Sequence, residues 1–177
     1  RDVKTIALRY EEPFRSRIMR IKILGCGTSI GVPIPGCECA VCRSTDPRDK
    51  RTRTSAVFSV NGQNILIDAT TDLRIQALTH GIKRVDAVLF THAHADHILG
   101  IDDLRCFNFI KKAPIPCFGT KETLDQIRDC FKYIFSPDPL WEGGQLAQLE
   151  LHELDGKKSF EACGRKIQPF PLIHGRT

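Results

Sequence analysis

The sequence has 177 residues, of which 41% are hydrophobic and 27% are charged, a balance typical of one globular domain with a sizeable core. It contains neither the ~18 consecutive apolar residues of a membrane span nor a signal-peptide pattern, so we expect a cytoplasmic protein without a membrane partner. The net charge of +5 is too small to predict nucleic-acid binding by itself.

The only methionine is Met19, and a strand-like pattern begins directly after it. We therefore interpret residues 1–19 as an extension or leader and residues 20–177 as the domain. Apolar periodicity predicts strands at 21–24, 55–60, 63–67, 85–90, 115–118, 149–154 and 166–172, and helices at 72–79, 96–104 and 121–135. The pair Asn61-Gly62 predicts a type I′ hairpin turn. Strands and helices in this order predict an α/β or α+β layered fold.

Eight cysteines are many for a chain of this length, yet the chain is too large for a disulfide-rich miniprotein and lacks an export signal. Three of them crowd together as Cys37-x-Cys39-x-x-Cys42 in a long loop over residues 31–53. This spacing predicts a thiolate zinc site, and a reduced thiol cluster without metal is the alternative. The others lie in or beside apolar runs and are predicted to be buried, inert thiols: Cys26, Cys106, Cys117, Cys130 and Cys163.

Potential metal ligands are concentrated at the end of the predicted strand 85–90, in the motif His92-x-His94-x-Asp96-His97. Alternation along an extended segment places His92 and His94 on the same side. A helix that begins at Asp96 would turn Asp96 and His97 toward the same cavity. Imidazole and carboxylate groups suit zinc, manganese or iron(II). Packing has no need of three histidines and an aspartate there, so the motif predicts a metal site.

This motif resembles the metal-binding signature of the metallo-β-lactamase superfamily. The resemblance implies an αββα sandwich, an α/β fold of which residues 20–177 would hold the N-terminal two-thirds. It also implies two catalytic metal ions, Zn²⁺ or Mn²⁺. The ligands that it assigns are His92, His94 and His174 for the first ion, and Asp96 and His97 for the second. A bridging aspartate and a last histidine of the family would lie beyond Thr177.

Three further segments narrow the resemblance to the branch that contains the cyclic phosphodiesterase of phosphonate breakdown. They are Gly25-Cys-Gly-Thr-Ser29, Gly31-Val-Pro-x-Pro-Gly-Cys37-x-Cys39-x-x-Cys42 and Ile101-Asp-Asp-Leu-Arg105-x-Phe-Asn108. The branch carries a structural zinc ion, which the resemblance assigns to Cys37, Cys39 and Cys42 together with a later histidine beyond Thr177.

Asp68 closes the predicted strand 63–67, just before the first predicted helix. In the family this place often holds a carboxylate that receives the second ring N–H of a ligand histidine. A role as a turn or helix-cap residue is the alternative. The segment Asp102-Asp103-x-Arg105 is expected either to shape the site, as in the family, or to be exposed to solvent.

The resemblance implies a metal-dependent hydrolase, with phosphodiesters as the expected substrates and cyclic ones first. A hydroxide activated between the two metal ions would attack the phosphorus, and either Asp96 or the bridging aspartate of the family could accept the proton. Basic residues between positions 43 and 53 can attract a small phosphorylated substrate, although such residues more often belong to a solvated loop.

Two other functions stay open. The first is a tRNA 3′-end-type ribonuclease with a nucleic-acid partner, although residues 54–177 show no protruding basic arm for RNA. The second is a non-enzymatic metal- or ligand-binding protein, or an accessory protein of cofactor biosynthesis, that keeps a similar cysteine cluster. For any of these functions we expect an oligomer.

Overall fold

A computed structural model describes residues 6–10, 17–138 and 140–174. Its strands are β1 (Ile6–Tyr10), β2 (Arg17–Gly25), β3 (Ser55–Val60), β4 (Gln63–Ile67), β5 (Ala87–Leu89), β6 (Ile115–Thr120), β7 (Leu149–Leu154), β8 (Phe160–Ala162) and β9 (Arg165–Ile167). Its helices are α1 (Ala40–Arg43), α2 (Leu73–His80), α3 (Ala95–Ile98), α4 (Arg105–Lys111), α5 (Lys121–Cys130) and α6 (Lys132–Phe135), with 3₁₀ turns at Pro47–Asp49 and Ile101–Leu104. Among the described residues, no helix is long and apolar enough to cross a membrane.

Strands β1 to β7 form one sheet in chain order. The first four strands are antiparallel to their neighbours, and β4 to β7 are parallel. The β3–β4 hairpin has the predicted bounds, and its turn residues Asn61 and Gly62 both have the positive φ that a type I′ turn requires. The parallel strands need crossover connections, which α2 to α6 provide.

The helices cover one face of this sheet. The buried side chains of that face come from alternate strand positions, at Leu24, Val57, Leu66, Val88 and Cys117. The helical segments bury Leu73, Ile98, Ile101, Leu104, Phe107, Leu124 and Ile127 against them. Their removal from water supplies the main stabilisation of the fold, at roughly 25 cal/mol per Å² of apolar surface.

The short β8–β9 sheet lies against the opposite face. Ala162 at the end of β8 is buried together with Ile65 and Ala87 of the large sheet. Phe118 packs there as well, with its ring centroid 5.1 Å from that of Phe160. The described chain therefore has three layers: helices, the seven-stranded sheet and a two-stranded sheet. This arrangement is α/β and agrees with the first three layers of the predicted αββα sandwich.

Several predicted elements are wrong in their extent. The helix predicted at 121–135 divides into α5 and α6, and the strand predicted at 85–90 is limited to β5. The helix predicted at 96–104 breaks after α3, because the N–H of Gly100 donates to the carbonyl of Ala69 instead of continuing the helix. The strand predicted at 166–172 ends at Ile167. Pro169 and Pro171 follow, and proline has no N–H to donate to a strand ladder.

The sheet also begins earlier than the pattern indicated. Residues 6–10 form β1 and residues 17–25 form β2, and the two strands pair with each other. Part of the segment interpreted as an extension or leader therefore belongs to the sheet. The interpretation of residues 1–19 as an extension or leader stays a prediction.

The prediction of buried thiols is correct for Cys117 and wrong for three others. Cys26, Cys106 and Cys130 are exposed, and Cys163 is half-buried. In the helices, the apolar neighbours of an exposed cysteine are buried while the cysteine itself lies on the outer face. Burial of the Cys117 thiol raises its pKa, so this side chain is inert.

Candidate metal centre

The histidine motif lies where two neighbouring parallel strands end. Asp68 follows β4 and Thr91 follows β5 closely, and the N–H of Asp68 donates to the carbonyl of Leu89 at 2.9 Å. Parallel strands with the same direction bring their carboxyl ends to one edge of the sheet, and α/β proteins commonly bind ligands at that edge. The motif is thus held by the sheet rather than by a free loop.

Three histidine rings form the first part of the cluster. The ring nitrogens of His92, His94 and His174 lie within 4.8 Å of one another. Nε2 of His92 is 2.9 Å from Nδ1 of His94. The ring centroid of His174 is 4.9 Å from that of His92 and 5.4 Å from that of His94. The expected approach of His174 to the motif is therefore observed, although it comes from the segment after β9.

Asp96 and His97, in α3, form the second part. The ring centroid of His97 lies 4.0 Å from that of His92. Nε2 of His97 is 3.3 Å from a carboxylate oxygen of Asp96. All five residues predicted as catalytic metal ligands therefore lie in one continuous cluster, and their binding of metal ions stays a proposal.

A buried carboxylate supports this cluster. Asp68 is only 2% exposed and has a left-handed backbone with a φ of 58°. Its carboxylate accepts hydrogen bonds from the Thr91 backbone N–H at 2.8 Å, from the Thr91 hydroxyl at 2.8 Å and from Nδ1 of His97 at 2.7 Å. The structure thus places Asp68 where the resemblance located a carboxylate partner for a ligand histidine. Asp68 was expected either to contact a ligand histidine or to act as a turn or helix-cap residue, and its contact with His97 agrees with the first of these roles.

The surroundings move the pKa values of two imidazoles in opposite directions. The hydrogen bond from His97 to the Asp68 carboxylate raises the pKa of His97. Burial lowers the pKa of His92, and the nearby His97 and His94 rings lower it further. A neutral imidazole is the form that binds a metal ion, so the environment of His92 favours a ligand role.

Backbone hydrogen bonds attach α3 to the segment after β4. The N–H of Ala69 donates to the carbonyl of His97 at 2.9 Å, and the N–H of Gly100 donates to the carbonyl of Ala69 at 2.9 Å. These two bonds hold the motif on both sides of Ile98, whose side chain is buried in the core. The positions of Asp96 and His97 are therefore set by the core of the domain.

The donor atoms of the cluster fit zinc or manganese. Zinc–nitrogen bonds are ~2.0–2.1 Å long, so two nitrogens on one tetrahedral ion stand about 3.4 Å apart. The nitrogens of His92, His94 and His174 are close enough for one ion after small ring rotations. Asp96 and His97 add a carboxylate oxygen and a further nitrogen beside them. Such a mixture of imidazole and carboxylate suits Zn²⁺ and Mn²⁺.

The three clustered cysteines form a separate group. The sulfur atoms of Cys37, Cys39 and Cys42 lie within 4.8 Å of one another. Cys37 follows a turn in which Gly36 has a φ of 76°, and its N–H donates to the carbonyl of Ile34 at 3.0 Å. Cys39 is the N-cap residue of α1, and Cys42 lies within the single turn of this helix.

Backbone N–H groups point at two of these sulfurs. The N–H of Cys42 donates to Sγ of Cys39 at 3.5 Å, and the N–H of Ile34 donates to Sγ of Cys42 at 3.4 Å. The N–H of Cys42, followed by the thiols of Cys37 and Cys42, lowers the pKa of Cys39 to about 7. With zinc–sulfur bonds of ~2.3 Å, sulfurs on one tetrahedral ion stand about 3.8 Å apart. The group therefore fits three of the four ligands of a structural zinc ion.

The segment of Asp102 and Arg105 was expected either to shape the site or to be exposed to solvent. Asp102 accepts hydrogen bonds from the hydroxyl of Tyr133 and pairs with Arg105 at 2.7 Å. Both partners lie outside the histidine cluster, so the described contacts of Asp102 and Arg105 connect this segment to α6 instead.

The sequence analysis missed Thr91, whose hydroxyl contacts both Asp68 and His92. Its position at the end of a buried strand was the available signal.

Part of the charge of the basic loop is paired within the fold. Arg48 pairs with Asp46 and Arg53 pairs with Asp72, whereas Lys50 contacts the carbonyl of Ser44 and Arg51 contacts Sγ of Cys26. The contacts of Arg51 and Arg53 attach the loop to the residue after β2 and to the residue before α2. Lys50 and Arg51 meet no carboxylate in these contacts, so the attraction of phosphate by this loop stays a prediction.

The chain is similar to several known proteins. Residues 63–177 match the beta-lactamase superfamily domain. The chain is 43% identical over 159 residues to an octanoyltransferase from Porphyromonas gingivalis. The matched region covers 89% of this chain and 31% of that protein. The chain is 30% identical over 168 residues to a ribonuclease Z from Clostridium acetobutylicum, which covers 89% of this chain and 47% of that protein.

Solved structures show the same fold. A diphosphatase of the PhnP family is 42% identical, with a TM-score of 0.78 over 90% of this chain and 59% of that one. PqqB from Methylobacterium extorquens, solved with Zn²⁺ bound, has a TM-score of 0.58 at 24% identity over 80% of this chain and 48% of that one. The chain spans less than two thirds of each of these relatives. Its α/β fold is metallo-β-lactamase-like, and the chain belongs to the metallo-β-lactamase superfamily.

Proposed function

We propose that the chain carries the metal-binding part of a metal-dependent hydrolase that cleaves phosphodiester or diphosphate linkages. The observation that carries this proposal is the cluster of His92, His94, Asp96, His97 and His174 at the carboxyl edge of the sheet. The similarity to a PhnP-family diphosphatase over 90% of the chain supports the choice of substrate class. Cyclic phosphodiesters are the first candidates.

Each residue of the cluster has a defined task in this proposal. His92, His94 and His174 would hold one metal ion, and Asp96 and His97 would hold the other. When bound, the ions supply electrophilic catalysis and make a coordinated water more acidic. The Asp96 carboxylate, which lies 3.3 Å from Nε2 of His97, would also accept the proton of the attacking water. Asp68 orients His97 through its second ring nitrogen.

The cysteine group has a supporting task. Cys37, Cys39 and Cys42 would hold a structural zinc ion, with a fourth ligand from outside the described residues. Thiolates favour zinc over manganese or magnesium. Because this group lies in the loop that begins after β2, its metal would order the loop and leave the chemistry to the histidine cluster.

A second candidate is a ribonuclease that processes RNA ends. It is supported by the 30% identity to a ribonuclease Z over 89% of this chain. The pairing of Arg48 with Asp46 and of Arg53 with Asp72 reduces the positive charge that the loop at 43–53 offers to RNA.

The experiment is a substrate panel with the full-length protein that contains this sequence. The panel holds bis(p-nitrophenyl) phosphate, a five-membered cyclic phosphodiester, a dinucleoside diphosphate and a precursor tRNA, each with Zn²⁺, with Mn²⁺ and after chelation. We expect metal-dependent turnover of the small phosphate substrates. Turnover of precursor tRNA alone would favour the second candidate, and metal binding without any turnover would favour an accessory role. A small phosphorylated partner, an oligomer and a cytoplasmic location stay predictions.

A further inference from the structure

Thr91 is the residue between strand β5 and the first histidine of the motif. Its hydroxyl oxygen lies 2.8 Å from a carboxylate oxygen of Asp68 and 2.9 Å from Nδ1 of His92. The same carboxylate oxygen of Asp68 accepts the hydrogen bond from Nδ1 of His97. One buried carboxylate is therefore connected to two histidines of the cluster, to His97 directly and to His92 through a hydroxyl.

The direction of each hydrogen bond follows from the available protons. A carboxylate only accepts, so the single proton of the Thr91 hydroxyl points to Asp68. The hydroxyl oxygen can then only accept from His92, and Nδ1 of His92 must carry a proton. Nε2 of His92 is left with a lone pair, and this atom faces Nδ1 of His94 at 2.9 Å. His97 resembles His92 in its Nδ1–H, which donates to Asp68, while its Nε2 lies 3.3 Å from a carboxylate oxygen of Asp96.

We propose that Thr91 is a positioning residue whose hydroxyl fixes the tautomer and the orientation of His92. Asp68 would then orient one histidine ligand of each ion, His92 of the first through Thr91 and His97 of the second directly. The effect on metal affinity rests on the proposed function, while the effect on the tautomer does not. Partners of this kind typically change metal affinity by about 10–100-fold.

The hydroxyl of Thr91 can be separated from the rest of the residue. The backbone N–H of Thr91 donates to the other carboxylate oxygen of Asp68 at 2.8 Å, and this bond survives any substitution of the side chain. Thr91 is exposed, so a valine of the same shape meets no steric obstacle. Thr91→Val therefore removes the hydroxyl bridge and leaves the Asp68–His97 contact in place.

The test compares Thr91→Val with Thr91→Ser, which keeps the hydroxyl, in the full-length protein. Long-range ¹H–¹⁵N NMR of the imidazoles is recorded without metal at pH 8, where a histidine with the usual pKa of ~6.5 is neutral. We expect a protonated Nδ1 on His92 in the wild type and in Thr91→Ser, and a mixture of tautomers in Thr91→Val. Thr79→Val, at an exposed threonine of α2, is the matched control.

Zinc titration against a chelating dye supplies the second measurement. We expect Thr91→Val to lower the affinity for one of the two catalytic ions by about 10–100-fold. The affinity for the other ion should stay within a few-fold of the wild type. Thr91→Ser should restore the affinity. An unchanged His92 tautomer in Thr91→Val would overturn the inference. If the wild type bound no catalytic metal, the proposed function would fail, and the NMR measurement would still decide the role of Thr91.

Discussion

Gly100 lies against Thr70 so closely that a β-carbon on Gly100 would stand 1.9 Å from the carbonyl oxygen of Thr70. The same β-carbon would be 3.0 Å from Cβ of Leu73. The N–H of Gly100 uses this approach to donate to the carbonyl of Ala69. The turn after α3 is thus pressed against the segment that carries Asp68, and this contact holds the histidine motif beside its buried carboxylate.

Substitution of this glycine tests the contact. We expect Gly100→Ala to lower the free energy of unfolding by about 1–3 kcal/mol, because the backbone of residues 69–70 must move to admit the methyl group. The same movement should weaken metal binding by the histidine cluster. Urea unfolding and zinc titration measure the two effects.

The matched control for this variant is Gly144→Ala. A β-carbon on Gly144 meets no atom within 4 Å, and its φ is not in the left-handed region. It should therefore change the free energy of unfolding by less than about 0.5 kcal/mol. Equal stability of Gly100→Ala and Gly144→Ala would show that the close approach to Thr70 is not needed.

Asp68→Asn tests the buried carboxylate. An amide of the same size keeps one acceptor oxygen, but it cannot satisfy all three donors from Thr91 and His97. We expect both catalytic metal ions to bind about 10–100-fold more weakly. Asp125→Asn, at an exposed carboxylate paired with Lys121, should leave both affinities unchanged. Wild-type affinities in Asp68→Asn would mean that the carboxylate has only a structural role.

Asp96→Ala and His94→Ala test the catalytic part of the cluster in the full-length protein. Each removes a proposed ligand of one of the two ions, and in the proposed function both ions would be needed to hold and ionise the attacking water. We expect activity toward a phosphodiester to fall by more than the ~100-fold typical of a supporting residue. The loss should appear mainly in kcat, since the site stabilises the transition state more than the bound substrate.

Arg105→Ala is the control for these two variants, because Arg105 pairs with Asp102 and not with a histidine of the cluster. Its activity should stay within about tenfold of the wild type, a loss far smaller than that expected at a metal ligand. Chelation followed by addition of Mn²⁺ or Zn²⁺ should restore the wild type and Arg105→Ala, but neither ligand variant. Wild-type turnover by Asp96→Ala or His94→Ala would contradict the assignment.

The thiol cluster is tested by replacing Cys37, Cys39 and Cys42 together with serine. We expect the loss of one bound zinc ion and a clear drop in the unfolding temperature, because a structural zinc site contributes folding free energy directly. The control replaces Cys106 and Cys130, which are exposed and lie outside the cluster. Unchanged zinc content and stability in the triple variant would favour a thiol cluster without metal.

Features with a local physical cause were predictable from the sequence. Asn61 and Gly62 define the β3–β4 hairpin because two neighbouring residues at positive φ are enough to reverse the chain. The same holds for the motif at His92, where spacing along an extended segment places two rings on one side. The Cys37–Cys42 group also follows from spacing within one turn and one helical turn.

Features that depend on distant residues were mispredicted or missed. Helix 96–104 breaks because the N–H of Gly100 donates to the carbonyl of Ala69, which lies in the distant segment after β4. The exposure of Cys106 depends on which face of α4 meets the sheet. Periodicity within a short window contains neither of these contacts.

Residue types and spacing in the sequence were sufficient to predict a metal site, since three histidines and an aspartate at a strand end are typical of metal binding. How the cluster is held together depends on contacts between segments that are distant in the sequence. Asp68 and Thr91 meet because β4 and β5 are adjacent and parallel, so that their carboxyl ends reach the same edge. The adjacency of strands is set by burial of both sheet faces, which is a property of the whole chain and of no single segment.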